Sequence, residues 1–199
     1  MTAQKRPYRK QRRAEGEQQT RLRITESAME LHGTLGPART SISAVAARAG
    51  VRRSTVYRHF PDEAALFAAC SAHWMAANPR PDPGVWASIP DPEQRLATAL
   101  GELYAYYRAT EPMLANLHRD EATTPTVRDR FAGFHGYLSS ARDVLMQGRR
   151  QRGGARRQAQ ATIGHALSFA TWRSLTLEQG LNDSQAVDLM CRLVEVAGT

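Results

Sequence analysis

Apolar residues recur along most of this chain at three- and four-residue steps, the period of a helix. Ile24, Ala28 and Leu31 stripe a first helix from about Glu17 to His32, which Gly33 and Gly36-Pro37 end. Ile42, Val45, Ala46 and Ala49 form the apolar face of a second, with Thr40 and Ser41 as candidate N-caps. Gly50 closes it, because glycine enters the left-handed region without a steric clash. Val51 fills the angle before a third helix, from about Arg52 to His59, whose apolar residue is Val56. A helix capped by Asp62 and running to Asn78 carries Leu66, Cys70, His73 and Ala77, and is the one continuous element expected to join the front of the chain to the rest. Five prolines between Asn78 and Pro92 predict a loop, pinned by Trp86 and Ile89.

Asp91-Pro92-Glu93-Gln94 predicts the next helix start, and Leu96, Leu100, Leu103 and Tyr107 follow until Pro112 breaks the pattern. Thr124-Pro125 opens another, striped by Val127, Phe131, Phe134, Leu138 and Leu145. The basic, Gly-rich stretch 148–157 is expected to be a solvated loop. Two last helices, from about Ala155 to Gln179 and from about Ser184 to Val196, are apolar on more than one side. Such helices need cover on more than one side, which a second copy supplies most simply as a two-fold four-helix bundle. The pattern therefore gives an all-α fold of about nine helices. A basic flexible arm (1–16) precedes a three-helix unit (17–61) and a larger α-helical body (62–199).

Charge sharpens this. The 199 residues carry a formal +8, but residues 1–58 hold 13 Arg and Lys against 4 acidic residues, while 59–199 hold 14 against 15. The positive excess sits in the N-terminal end that carries the second and third helices, a footprint for nucleic acid on an otherwise neutral body. Those two helices have the layout of a helix-turn-helix, with the second free to enter the major groove. Arg reads guanine edges or grips phosphate, and Ser, Thr and Tyr hydroxyls bind phosphate oxygens. Arg52, Arg53, Ser54 and Thr55 are the candidate base readers; Thr40, Ser41, Tyr57 and His59 are the candidate phosphate contacts, with Arg58 beside them. The arm, with Lys5, Arg6, Arg9, Lys10, Arg12 and Arg13, is either a solvated tail or a further phosphate or minor-groove contact.

The run from Arg23-Ile24 through Ala28, Leu31, Thr40-Ser41, Val45-Ala46, Ala49-Gly50-Val51, Thr55-Val56-Tyr57, His59-Phe60 and Leu66 resembles the TetR family of bacterial transcriptional regulators. A weaker resemblance lies in Thr171-Trp172-Arg173-Ser174-Leu175 and Glu178-Gln179-Gly180-Leu181. Three positions depart from the family's pattern: Arg52 where a capping Ser is frequent, Ser54 where Gly is usual, and Glu63 where a phosphate-binding Lys is usual. The resemblance implies a cytoplasmic homodimer, paired through its last two helices. It would bind a two-fold, pseudo-palindromic operator on double-stranded DNA as a repressor, and a small molecule that repositions the 62–78 helix would release it. The competing expectation is a constitutive or architectural DNA-binding protein without a ligand.

No enzyme motif is present: GxGxxG, Walker, HExxH and GxSxG patterns are all missing, so no catalysis is expected. Cys70 and Cys191 have no metal or disulfide spacing, so neither metal nor cofactor is expected. The N-terminus has no apolar signal core, and the longest charge-free run, 158–172, is too short for a bilayer; no secretion and no membrane span are expected. In the resembled family the helices starting near Asp91, Thr124 and Ala155 surround the ligand. The candidates there are Tyr104, Tyr107, Met113, Phe131, Phe134, His135, His165, Phe169 and Trp172. Without a basic cluster on those stripes, a largely apolar or aromatic ligand is expected.

Overall fold

A computed structural model describes residues 5–198, apart from the side chains of Lys5, Arg6, Pro7 and Arg9. Among them, ten α-helices follow in order: α1 (Lys5–Thr34), α2 (Ile42–Arg48), α3 (Arg53–His59), α4 (Glu63–Ala77), α5 (Pro83–Ala87), α6 (Pro92–Glu121), α7 (Pro125–Leu145), α8 (Gly153–Ala166), α9 (Phe169–Arg173) and α10 (Asp183–Ala197). A 3-10 turn, Pro37–Arg39, precedes α2, and a π turn, Ser174–Glu178, follows α9. The all-α expectation holds. No described helix is long and apolar enough to cross a membrane.

The chain divides into two compact units, one of residues 1–78 with 115–127, the other of 79–114 with 128–199. In the first, α1, α2, α3 and α4 close around Ile24, Ala28, Val45, Ala46, Ala49, Val56, Phe60, Leu66 and Cys70, all buried. In the second, Leu96, Leu100, Leu103, Tyr104, Tyr107, Leu145, Ile163, Trp172 and Val194 are buried, and α8 packs on α10. The α4 helix is not the one continuous link between units that the sequence pattern suggests: α6 and α7 each contribute residues to both.

Several local expectations are corrected. The first helix begins at Lys5, not near Glu17, and takes in the described part of the basic arm. Gln11–Glu15 and Arg13–Glu17 pair one turn apart in a run of good helix formers; residues 1–4 of the arm lie outside the described residues. The proline-rich loop contains α5, because Asp82 caps Gly84 N–H and Pro83 occupies the first turn, where its missing donor is harmless. Trp86 is fully buried there and donates to Glu102 at 2.7 Å.

Pro112 does not end its helix, and α6 runs on to Glu121. A proline inside a helix costs about 3 kcal/mol. Leu103, Tyr107 and Leu114 are buried on both sides of it, and each such side chain stabilises by roughly 1.5–3 kcal/mol, so burial wins. The expected single helix from Ala155 to Gln179 is broken at Leu167-Ser168, where the Ser168 hydroxyl caps Ala170 N–H and starts α9. The stretch 148–157 is not a solvated loop throughout. Arg149 is buried, donating to Leu145 O and Pro92 O and pairing with Glu93 at 2.7 Å, and α8 has begun by Gly153.

Candidate DNA-binding site

The α2–α3 corner is built by local chemistry. Ser41, not Thr40, is the N-cap: its hydroxyl accepts from Ala44 N–H at 3.1 Å. Gly50 has φ +63°. Its N–H donates to Ala47 O at 3.2 Å, and Val51 N–H to Ala46 O at 3.0 Å, the paired bonds that stop a helix around a left-handed glycine. Val51 packs on the core of this unit, which fixes the angle at which α3 leaves.

Val56 is the residue that α3 buries, at 0% exposure. Arg52, Arg53, Ser54, Tyr57 and Arg58 are therefore exposed around it, with Thr55 and His59 half-buried. At 1.5 Å per residue α3 is roughly 10 Å long, which suits a major groove about 12 Å wide. Arg53 and Tyr57, one turn apart, touch: Nη2 donates to the Tyr57 hydroxyl at 3.2 Å, and the guanidinium stands 5.6 Å from the ring centre. The end of α3 is held from α1, where Arg21 donates to His59 O and lies over the Phe60 ring at 4.1 Å.

His59 Nε2 is enclosed without a hydrogen-bond partner, and burial, then Arg58 and Arg21, hold the imidazole below its ordinary pKa. Thr40 donates its hydroxyl proton to Gly36 O at 2.8 Å, so the adjacent exposed Ser41, whose oxygen caps Ala44, is the hydroxyl that can donate to a phosphate at the start of α2. These residues make a polar, basic face of seven exposed or half-exposed side chains on one short helix, with two hydroxyl residues at the start of its neighbour.

Residues 24–70 match the family model described as "Bacterial regulatory proteins, tetR family". This segment is the DNA-binding domain of the TetR family of bacterial transcriptional regulators. Solved structures carry the likeness of fold over nearly the whole chain. A TetR-family regulator of Mesorhizobium loti aligns with 91% of this chain and 96% of its own, at TM-score 0.62 and 15% identity. NalD of Pseudomonas aeruginosa, the secondary repressor of the MexAB-OprM multidrug efflux pump, aligns over 92% and 96% at TM-score 0.58 and 19% identity. The fatty acid degradation regulator FadR of Bacillus halodurans aligns over 88% and 94% at TM-score 0.57 and 16% identity. No curated protein matches the chain. The family match over this segment supports a DNA-binding regulator.

Two of the three departures from the family pattern have visible consequences in the regulator. Arg52 occupies the N-cap of α3 and makes no side-chain capping bond. The Tyr57 hydroxyl raises the pKa of Arg53, and Glu63, in the first turn of α4, adds a smaller electrostatic push in the same direction. A carboxylate there opposes a phosphate.

The candidate ligand residues divide. Tyr104, Tyr107, Phe134, Phe169 and Trp172 come together around Tyr107, with ring centres 5.4 Å to Phe169, 5.9 Å to Trp172, 6.3 Å to Tyr104 and 6.4 Å to Phe134. Phe131 stacks on Phe134 at 5.1 Å. The cluster's polar atoms are engaged: Tyr104 donates to Ala166 O at 2.9 Å and Tyr107 to Leu167 O at 2.6 Å, satisfying carbonyls where α8 breaks. Trp172 Nε1 donates to Asp183, which Arg108 grips through two bonds of 2.7 Å. Burial pushes both tyrosines well above the ordinary tyrosine pKa.

Met113 is half-buried, and His135 and His165 stand on exposed faces, edge-on to Phe131 and beside Thr171. Those two histidines do not line an interior. Tyr137, another aromatic residue of α7, belongs to the same cluster. Its ring stacks on Phe134 at 6.0 Å under the Arg80 guanidinium at 4.9 Å, and its enclosed hydroxyl has no hydrogen-bond partner. Helical spacing puts it one turn from Phe134, but only the structure reveals the unsatisfied oxygen.

Proposed function

We propose that the regulator is a cytoplasmic homodimeric repressor that binds a pseudo-palindromic operator and releases it when a small, largely apolar or aromatic molecule binds the C-terminal part. In this reading residues 17–61 carry DNA recognition and 62–199 carry ligand binding and dimerisation. The observation that carries the dimer is an apolar surface at the C-terminal end. Leu193 is 44%, Val196 71% and Leu177 49% exposed, on and just before the helix whose other face buries Val187, Met190 and Val194. A second copy is the simplest cover for such residues. Two copies would then present their α3 helices to successive major grooves, about 34 Å apart. NalD is a repressor, and the relation by fold supports the same role here.

Ligand release has an observation on each side. The unsatisfied Tyr137 hydroxyl favours a ligand that accepts or donates a hydrogen bond there. The internally satisfied cluster around Tyr107 favours the alternative, a constitutive DNA-binding protein with a filled interior. An effector must prefer the conformation that does not bind DNA, since equal affinity for both shifts nothing. Selection of bound sequences from random duplex DNA, repeated with candidate aromatic and acyl compounds, tests all three elements. A two-fold consensus lost with one of these compounds is the expected result. A consensus unmoved by every compound would leave the ligand-free alternative, and an asymmetric site would overturn the dimer.

A further inference from the structure

The two hydroxyl residues that open α2 are held in place by side chains from the far end of α6. Asp120, with its side chain only 4% exposed, accepts from Ala38 N–H at 2.9 Å through Oδ2 and from Arg119 Nε at 2.8 Å through Oδ1. Arg119 also donates to Leu35 O and to Asn116 Oδ1, each at 2.8 Å. Asn116 is buried and donates to His32 O at 3.0 Å and Gly33 O at 2.8 Å. These bonds satisfy the carbonyls that the last turn of α1 leaves open, and one amide of the 3-10 turn that follows. Gly36 sits inside this clasp at φ +94°. A Cβ there would lie 2.0 Å from Arg119 Nη2 and 2.5 Å from Asp120 Oδ2. The turn leads straight into Thr40, whose N–H donates to Pro37 O at 3.1 Å and whose hydroxyl donates to Gly36 O at 2.8 Å.

We infer that Asn116, Arg119 and Asp120 are positioning residues for DNA binding: they fix the 3-10 turn, and through it the height and direction of Thr40 and Ser41 at the DNA backbone. The inference rests on the Ser41 hydroxyl donating to a phosphate, with Thr40 joining it only by turning its proton away from Gly36 O. It assigns a DNA-affinity role to residues some eighty positions downstream that do not themselves reach the duplex. It also explains why the chain has a glycine at 36, where any side chain would displace the clasp.

The experiment measures affinity against salt for the full chain on random duplex DNA. It compares Asp120→Ala, Asp120→Asn, Arg119→Met, the pair Thr40→Val with Ser41→Ala, and that pair combined with Asp120→Ala. The Arg119 side chain is exposed, so its variant keeps the position testable should Asp120→Ala unfold; thermal unfolding monitors both. Asp120→Ala is expected to weaken binding about tenfold without lowering the log-affinity against log-salt slope, because the hydroxyls it mispositions carry no charge and release no counterion. Arg119→Met should do the same more weakly. Asp120→Asn retains an acceptor for Ala38 N–H and should recover most of the affinity. In the Thr40→Val, Ser41→Ala background, Asp120→Ala should cause no further weakening. A full additional weakening in that background, or no rescue by Asn, would overturn the positioning role while leaving the phosphate contacts intact. Unchanged affinity in the Thr40→Val, Ser41→Ala pair alone would remove the phosphate reading and the inference with it.

Discussion

His32 should make the DNA-binding unit sensitive to mild acid. The ring is buried between Phe67, at 5.3 Å edge-to-face, and Cys70 Sγ, 3.4 Å from Nδ1. Burial lowers its pKa from the ordinary 6.5 to about 4, with Asp120 opposing the shift. Above pH 6.5 both folded and unfolded chains hold it neutral, and the shift has no effect. Between 6.5 and about 4 the unfolded chain takes up the proton and the folded one does not, so stability falls as pH falls; below about 4 the loss is complete. At 1.36 kcal/mol per unit the whole window corresponds to roughly 3 kcal/mol, of which about 2 kcal/mol is gone by pH 5. His32→Leu removes the titration while keeping an apolar side chain of similar bulk. Urea unfolding followed by circular dichroism, at pH 7 and about pH 5, gives the loss on acidification for each protein. The carboxylates contribute equally to both and cancel. The parent is expected to lose about 2 kcal/mol more than the variant. Equal losses in the two proteins would refute the argument that burial keeps this imidazole neutral.

Arg52→Ser supplies the missing cap of α3 and should stabilise the fold by about 1 kcal/mol in thermal or urea unfolding; no gain would mean that the first-turn amides are already satisfied by solvent. Glu63→Lys should tighten binding to specific and random DNA alike and steepen the salt slope by about 0.9 in filter binding or fluorescence anisotropy. Leu193→Glu with Val196→Glu should turn the proposed dimer into monomers in sedimentation equilibrium and abolish cooperative occupation of a two-fold site; a dimer that survives would place the interface elsewhere. Because burial and Arg58 hold His59 neutral, a phosphate beside it should raise its pKa, so binding should tighten as pH falls through the histidine range. His59→Gln should lose that dependence.

The helix-turn-helix was legible because its determinants are local. The Ser41 cap, the Gly50 stop, the Val51 plug and the lone apolar Val56 all lie within one turn of the structure they specify. The same holds for the Asp91 cap beside Pro92; Asp82 and Pro83 carry the same local signal, which the density of prolines around them hid. What sequence spacing missed depends on distant partners. Pro112 reads as a breaker until the burial of Leu114 beyond it is known. Arg149 reads as a solvated cation until Glu93 and the carbonyls of Pro92 and Leu145 surround it. The break at Leu167-Ser168 is stable because Tyr104 and Tyr107, some sixty residues earlier, take up the carbonyls it exposes. The aromatic candidates are legible as a set from stripe and family likeness. Their hydrogen-bonding state, which separates engaged Tyr107 from unsatisfied Tyr137, has no sequence signature.

The pairing of Arg53 with Tyr57 bears on how the recognition helix divides its labour. Read from sequence, Arg53 is a base reader and Tyr57 a phosphate contact, as if the two were independent. In the fold the guanidinium lies by the ring and donates to the hydroxyl, with nothing buried at Arg53 to hold it otherwise. An unanchored arginine has many rotamers, and fixing one at a base edge costs conformational entropy on the order of 1–2 kcal/mol. Tyr57 takes part of that ordering into the free protein. A phosphate that drew the Tyr57 hydroxyl would therefore also redirect Arg53, and a guanine that took both guanidinium donors would free the hydroxyl for the backbone. Affinity and sequence preference at this turn of α3 are consequently coupled. Removing the hydroxyl should relax base preference at the Arg53 position as well as weaken binding overall, whereas two independent interactions would show only the overall weakening.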